Sequence, residues 1–329
     1  MTVRASAKLV RDLFAKTIKT EPTRNGFGRG LVIAGKNDAR VVALCADLSE
    51  STRVLDFKNA FPNRFIQMGV SEQSLAAIAS GMALAGKIPF IASYAAFSPG
   101  RNWEQIRTTG CIQNVNLKIV GSHAGISVGA DGATHQMTED IALMRVLPNM
   151  TVLCPCDALE AEKATVAAAA IDGPVYLRLG REATPIFTTP SSPFEIGKAQ
   201  TLTKGNDVAI IACGALVYEA LKAARDCEKL GIEVRVINCP SIKPLDEETI
   251  IAAAQECGAI VTVEEAQIAG GLGGAVCELL SQECPVPILR IGMHDEFGQS
   301  GTPAELLEYY RMTAPWIVKA VKQAMKKKG

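Results

Sequence analysis

Only three histidines occur in the 329 residues, and two of them, His123 and His135, fall within "SHAGISVGADGATHQMTED". Imidazole exchanges protons near neutral pH, so two of them in one glycine-loosened segment at a predicted strand end stand where chemistry is expected. Gly125, Gly129 and the pair Asp131-Gly132 lie between them. Glycines of that kind let a loop turn back, so that both its ends face one cavity.

Elsewhere the candidates are single residues, each with an ordinary structural explanation beside the chemical one. Glu72 opens "EQSLAAIASG" after a strand-like run; a glutamate in a first helical turn complements the helix dipole and is common for that reason alone. Tyr94 and Phe97 in "SYAAFSPG" read as core packing or as a platform for a flat heterocycle. Asp47 and Ser51 in "ADLSEST" are turn signals or a polar strand end facing a ligand. Arg24 in "PTRNGFG" and Arg181 in "RLGREATP" stand beside glycines, and a guanidinium next to flexible backbone suits phosphate. "AGGLGGAV" at 269–276 has the look of a phosphate turn but lacks the Lys-Ser/Thr of a P-loop. Close packing of a helix on a sheet is the better reading there.

These residues need elements to position them. Short β-branched runs alternate with helical stretches, which is the pattern of parallel βαβ units. Strands are predicted at 40–47, 64–69, 89–94, 117–123, 150–156 and 174–179, with helices at 71–86 and 157–170 among them. A segment with three prolines, 184–200, interrupts the alternation. Four more strand-like runs follow, with helices near 216–230, 245–257 and 272–282. The expected fold is therefore α/β with two parallel-sheet domains, 21–188 and 201–329, joined by a linker at 189–200. Residues 1–20 are basic and amphipathic, and are expected as a helix or docking arm. Asp12 within them counts against a transit peptide. Ligands of open parallel sheets sit beyond the carboxyl ends of the strands. The predicted ends include Asp47, Gly69, Tyr94, His123 and Arg178.

Bulk composition narrows the partners. Lys plus Arg equals Asp plus Glu at 34 each, so no global field draws the chain to nucleic acid or to an acidic membrane. No run of 18 apolar residues suggests a membrane span. None of the ten cysteines forms C-x-x-C; they are expected as buried free thiols of a cytoplasmic protein.

The order Asp47–Ser51, Glu72, Tyr94/Phe97, His123, Asp131-Gly132-x-Thr134-His135 and Arg181 resembles the pyrimidine-binding half of transketolase. The resemblance continues in "VEEAQIAGGLGGAV" and "DEFGQSGTPAELLEYY" and covers the chain from about Thr23 onward. It implies a thiamine diphosphate enzyme that transfers a two-carbon ketol unit between sugar phosphates in the pentose phosphate pathway. By the family pattern Glu72 hydrogen-bonds the aminopyrimidine, Tyr94 and Phe97 stack on it, and Asp47 lies near the cofactor. Asp131 contacts a substrate hydroxyl, and His135 assists proton transfer. Arg24, Ser51, His123 and Arg181 gather the phosphate, with His123 also in the implied catalytic set beside Glu72 and His135.

The family's GDG motif, which holds the diphosphate and its Mg2+ or Ca2+, is missing from these 329 residues. The resemblance therefore implies a split transketolase whose N-terminal partner subunit carries that motif, in an α2β2 assembly. Two departures stand out. Gly100 occupies a position where the family often has a third aromatic, for which Trp103 is the available substitute; and residues 1–20 have no counterpart. Other readings of the same motif set are a deoxyxylulose-phosphate synthase relative, an oxo-acid decarboxylase beta-type subunit, or a catalytically silent assembly subunit.

Overall fold

The computed structural model describes residues 1–328. The first half runs β1 (Thr20–Pro22), α1 (Thr23–Asn37), β2 (Val41–Cys45), α2 (Leu55–Ala60), β3 (Phe65–Gln67), α3 (Glu72–Leu84), β4 (Ile88–Tyr94), the single turn α4 (Trp103–Gln105) and β5 (Lys118–Ser122). It continues through α5 (Asp140–Arg145), β6 (Thr151–Leu153), α6 (Ala158–Ala170), β7 (Val175–Arg178) and β8 (Ala183–Pro185). The second half contributes β9 (Gln200–Thr201), β10 (Val208–Ala212), α7 (Leu216–Glu228), β11 (Val234–Asn238), β12 (Ser241–Lys243) and α8 (Glu247–Cys257). It closes with β13 (Ile260–Gln267), α9 (Leu272–Glu283), β14 (Ile288–Met293), α10 (Pro303–Tyr309) and α11 (Ala314–Lys327).

Two large sheets result, in the orders β12-β6-β7-β5-β4-β2-β3 and β14-β13-β10-β11-β9, beside a two-stranded antiparallel pairing of β1 with β8. All the strand-like runs of the sequence are present. Every residue of β2, β5, β7, β10 and β11 is buried, as befits parallel strands covered by helices on both faces. The two sheets do not stop at the division between the halves. β12 comes from the second half yet pairs antiparallel with β6 of the first, Ser241 beside Leu153. One apolar cluster joins Ile119 and Tyr176 of the first sheet to Ile211 and Ile260 of the second. Short edge pairings such as β12 and β9 have too few residues to show a period, which is why the sequence does not reveal them.

Helix α1 is also invisible in the sequence, where its glycines read as loosened backbone. They have the opposite role. A Cβ on Gly26 would overlap the carbonyl oxygen of Ala158, and one on Gly30 would crowd Glu162 and Thr165. The glycines let α1 lie backbone to backbone on α6.

Residues 1–19 hold one short 3-10 turn, Ala5–Ala7, and form no α-helix. The segment docks as an arm on the second half and on Phe187 at the end of the first. Arg4 N–H donates to Leu202 O, Val10 N–H to Phe187 O, and Tyr218 Oη to Leu13 O. Its apolar residues Ala7 and Leu13 join the core around α7 and α11, so its amphipathic pattern is satisfied by packing without a helix. All ten cysteines are free, eight of them buried. Among the described residues no helix is long and apolar enough to cross a membrane.

Candidate active site

Strand register assembles the aromatic wall. β4 pairs with β5 so that Tyr94 lies beside Ser122, which carries the next residue, His123, to the ring of Tyr94. His123 takes φ 56°, a left-handed conformation uncommon outside glycine and found preferentially where function demands it. Its imidazole stacks on Tyr94 with centroids 3.9 Å apart and planes 28° from parallel. Phe97 stacks on Tyr94 at 6.0 Å. His135 meets Phe97 edge-on at 5.5 Å and Tyr94 at 6.4 Å. The glycine-rich loop thus returns both histidines to one wall, and the Thr134 hydroxyl lies 3.0 Å from His135 Nδ1.

A cationic rim borders this wall. Arg24, in the first turn of α1, donates from Nη1 to His123 Nε2 at 3.0 Å and to Ser51 O at 2.9 Å. That fixes the tautomer: Nε2 accepts, and Nδ1–H donates to Ser122 Oγ at 2.9 Å. Thr23 Oγ1 accepts from Gly180 N–H, which ties the start of α1 to the turn bearing Arg181. Arg181 pairs with Asp131 at 3.6 Å and donates to Val128 O. Arg53, absent from the sequence candidates, adds its charge here and is braced by Asn25 Oδ1 at 2.8 Å. Burial, reinforced by Arg24, Arg181, Arg53 and His135, pushes His123 down to about 3, so its ring is neutral. Burial and the charges of Arg53 and Arg181 lower Arg24 as well. Such crowding of cations is relieved by an anion.

Glu72 begins α3 and is buried to 4% exposure. Its backbone carbonyl accepts from Asn102 Nδ2 at 3.0 Å, and Arg101 Nη1 stands 3.4 Å from its carboxylate. Glu72 lines an open cleft of about 560 Å3 with Val70, Ser71, Gln73, Ser74 and Arg101. Arg101 also lies over Phe97, 4.2 Å from the ring centroid. Arg101 and Asn102 were not singled out from sequence; their only signal is that they lie four and five residues beyond Phe97. The third-aromatic question has a geometric answer. A Cβ at Gly100 would overlap Ala96 O, so no aromatic fits there. Trp103 turns away to donate to Leu143 O at 2.8 Å. Arg101 covers Phe97 in its place.

The remaining candidates sit at the margin. Asp47 follows β2 with φ 58° and is exposed. Its N–H donates to Gln67 Oε1, and its carboxylate joins none of the groups above. Ser51 offers Arg24 its carbonyl and not its hydroxyl. Among the described residues no cluster of three or more His, Cys, Asp or Glu side chains is placed to hold a metal ion. "AGGLGGAV" packs as the start of α9, where the buried Glu264 caps the N–H groups of Leu272 and Gly273.

A doubly layered α/β chain with a buried carboxylate, an aromatic wall and a cationic rim at its strand ends defines one side of an enzyme site. Comparison with known proteins agrees. Residues 19–186 match the transketolase pyrimidine-binding domain and residues 197–317 the transketolase C-terminal domain. A candidate transketolase C-terminal section from Methanocaldococcus jannaschii is 44% identical, over 92% of this chain and 96% of that protein. A 6-deoxy-6-sulfo-D-fructose transketolase subunit from a Clostridium species is 40% identical, over 89% and 91% respectively. Among solved structures, a split-gene transketolase described as an inactive beta4 tetramer superposes with a TM-score of 0.88 at 45% identity, covering 94% of this chain and 99% of that one. The chain belongs to the transketolase family, as a subunit of the split kind.

Proposed function

We propose that this chain is the pyrimidine-binding, substrate-handling half of a transketolase that moves a two-carbon ketol unit from a ketose phosphate to an aldose phosphate. The pentose phosphate pathway of the cytoplasm is the setting that reading implies. One observation carries it: β4–β5 register and the return of the 123–135 loop gather Tyr94, Phe97, His123 and His135 beside the Arg24–Arg181 rim. A related subunit is named for a sulfonated sugar, so the anionic tail is the feature to vary in assays.

Family membership implies thiamine diphosphate, which supplies the carbon nucleophile when bound. The residues present fit its aminopyrimidine: a buried carboxylate for a ring nitrogen at Glu72, and stacked aromatic faces at Tyr94 and Phe97. Glu72 and the pair would hold that ring, with Asp47 at the edge. Asp131 accepts a hydrogen bond from a substrate hydroxyl. His135 passes a proton to and from the substrate oxygen and stabilises its developing charge. Neutral His123 orients the sugar beside Tyr94 while Arg24, Ser51 and Arg181 receive the tail.

A partner subunit supplies the diphosphate and metal site in this reading, in an α2β2 assembly. The outward face of α3 supports it. Ser74, Ala77, Ile78 and Gly81 are exposed there with no charged side chain among them, and a Cβ on Gly81 would meet nothing in this chain. Val70, beside Glu72, is 70% exposed. The beta-only relative is described as inactive.

The test is a coupled assay with xylulose 5-phosphate and ribose 5-phosphate, thiamine diphosphate and magnesium. It is run on the chain alone, with a diphosphate-domain partner, and with Glu72→Gln. Activity in the mixture only, reduced by about 10²–10⁴ in the variant, is the expected result. A mixture silent on sugar phosphates but active on pyruvate would favour an oxo-acid decarboxylase. Silence on all substrates despite assembly would favour a structural subunit.

A further inference from the structure

The two adjacent glutamates of "VEEAQ" are both buried on β13, and alternate strand residues face opposite sides of a sheet. Glu264 turns to cap α9. Glu265 turns the other way, across the seam between the two halves, and its Oε1 accepts from Ser127 N–H at 2.7 Å. Ser127 belongs to the loop that begins at His123 and ends at His135. Gly125, at φ 85°, leaves the space that Glu265 fills, since a Cβ there would overlap the carboxylate.

The backbone of Glu265 is itself anchored. Its carbonyl accepts from Arg178 Nη2 at 2.8 Å, and Arg178 pairs with the buried Asp140 through Nε at 2.8 Å. Two further contacts cross the same seam. Gln267 N–H donates to Thr138 O at 2.8 Å. Gln136 Nε2 bridges Ile126 O and Gln299 O, each at 3.0 Å. The second half of the chain, which holds none of the candidate chemical groups, thus grips the loop at Ser127 and, just past its end, at Gln136 and Thr138.

We infer that Glu265 is a positioning residue: by holding Ser127 N–H it fixes the loop whose ends present His123, Asp131 and His135 to substrate. The inference rests on the function proposed above for that loop. It assigns the C-terminal domain a direct part in substrate handling, with no contact of its own to the substrate. Misplacing reacting groups by about 1 Å costs on the order of 10²-fold, so a grip of this kind is felt in turnover.

The test compares Glu265→Ala, Glu265→Gln and Glu265→Asp. Hydrogen–deuterium exchange is measured on the full chain, and steady-state kinetics and thiamine diphosphate titration on the assembled enzyme. In Glu265→Ala the amides of 125–136 should exchange at least about 10-fold faster, with β10 and β13 still protected. kcat/KM for xylulose 5-phosphate should fall about 10- to 100-fold, and cofactor affinity should change by less than that, through the His123–Tyr94 stack alone. Glu265→Gln keeps an oxygen for Ser127 N–H and should restore most of the loss. Glu265→Asp keeps the charge but withdraws the oxygen, and should resemble Glu265→Ala. Wild-type loop protection in Glu265→Ala and Glu265→Asp overturns the inference, as does a loss of protection spread evenly over both sheets. If the wild-type assembly transfers no ketol unit, the proposed function fails, while the exchange pattern still decides whether Glu265 holds the loop.

Discussion

The imidazole of His123 and the phenol ring of Tyr94 lie face to face at 3.9 Å, so one ring stack joins the residue proposed to cover the cofactor to a residue proposed to meet the substrate. The stack exists because Tyr94 and Ser122 are neighbours in strand register. Slipping β5 by one residue would turn its side chains to the other face of the sheet. Cofactor and substrate binding should therefore be coupled through Tyr94.

Tyr94→Ala is expected to weaken thiamine diphosphate binding by the assembled enzyme about 2- to 10-fold, the worth of one aromatic pair. KM for the phosphorylated ketose should rise with it, because His123 loses its support. Tyr94→Phe keeps the ring and should leave both near wild type. Separate titrations of cofactor and of substrate check the coupling; a change in cofactor affinity alone would break it.

The Arg24 guanidinium reaches His123 and the Ser51 carbonyl from the first turn of α1. Arg24→Gln should raise KM for a phosphorylated ketose about 10- to 100-fold, the range of a charge-assisted hydrogen bond. An unphosphorylated ketol donor should be affected little. Kinetics with both donors distinguish a tail-binding arginine from one that only braces the loop, since bracing would affect them equally.

His123 makes stability depend on acid. An unfolded histidine titrates near 6.5, whereas burial and the surrounding arginines push the folded one down to about 3. As pH falls below about 6.5 the unfolded chain takes up a proton that the folded chain refuses. The contribution of neutral His123 is thus present above about 6.5 and fades toward about 3. His123→Asn should flatten this part of the Tm–pH curve relative to wild type. Glu160 and Glu264, raised by burial to about 7, act in the opposite sense: their contribution is present below about 4.5 and lost as pH rises through about 7. The difference between variant and wild type isolates His123, and parallel curves would refute its neutral state.

Gly26→Ala tests the contact between α1 and α6. The new methyl group meets the carbonyl oxygen of Ala158, and backbone cannot step aside as a flexible side chain can. The expected loss is about 1–3 kcal/mol in urea unfolding. Because Arg24 lies two residues earlier, KM for the phosphorylated ketose should rise as well.

Most of the layered fold was legible because parallel strands buried on both faces leave continuous apolar runs, and those runs mark β2, β4, β5, β7, β10 and β13 well. Helix α1 was hidden since its four glycines, Gly26, Gly28, Gly30 and Gly35, carry no local signal for helix; the approach of α6 explains Gly26 and Gly30, and that of the segment Arg53–Phe61 around α2 explains Gly28 and Gly35. Arg101, Arg53 and Glu265 were hidden for a similar reason. Each is an ordinary charged residue until another element is set against it.

The sequence by itself determined the alternation of strand and helix, the strand ends at which ligand-facing residues must lie, and the order of candidate groups that marks the family. These follow from local period and residue type, which neighbours in the chain carry. Tertiary structure alone decided that Tyr94 and His123 would stack, that Gly100 would exclude an aromatic and leave Phe97 to Arg101, and that a strand from the second half would complete the first sheet. It also decided that Glu265, 138 residues distant from Ser127 in the chain, would hold the loop. Those outcomes depend on strand register and on the close approach of backbones far apart in sequence, and no local pattern encodes either.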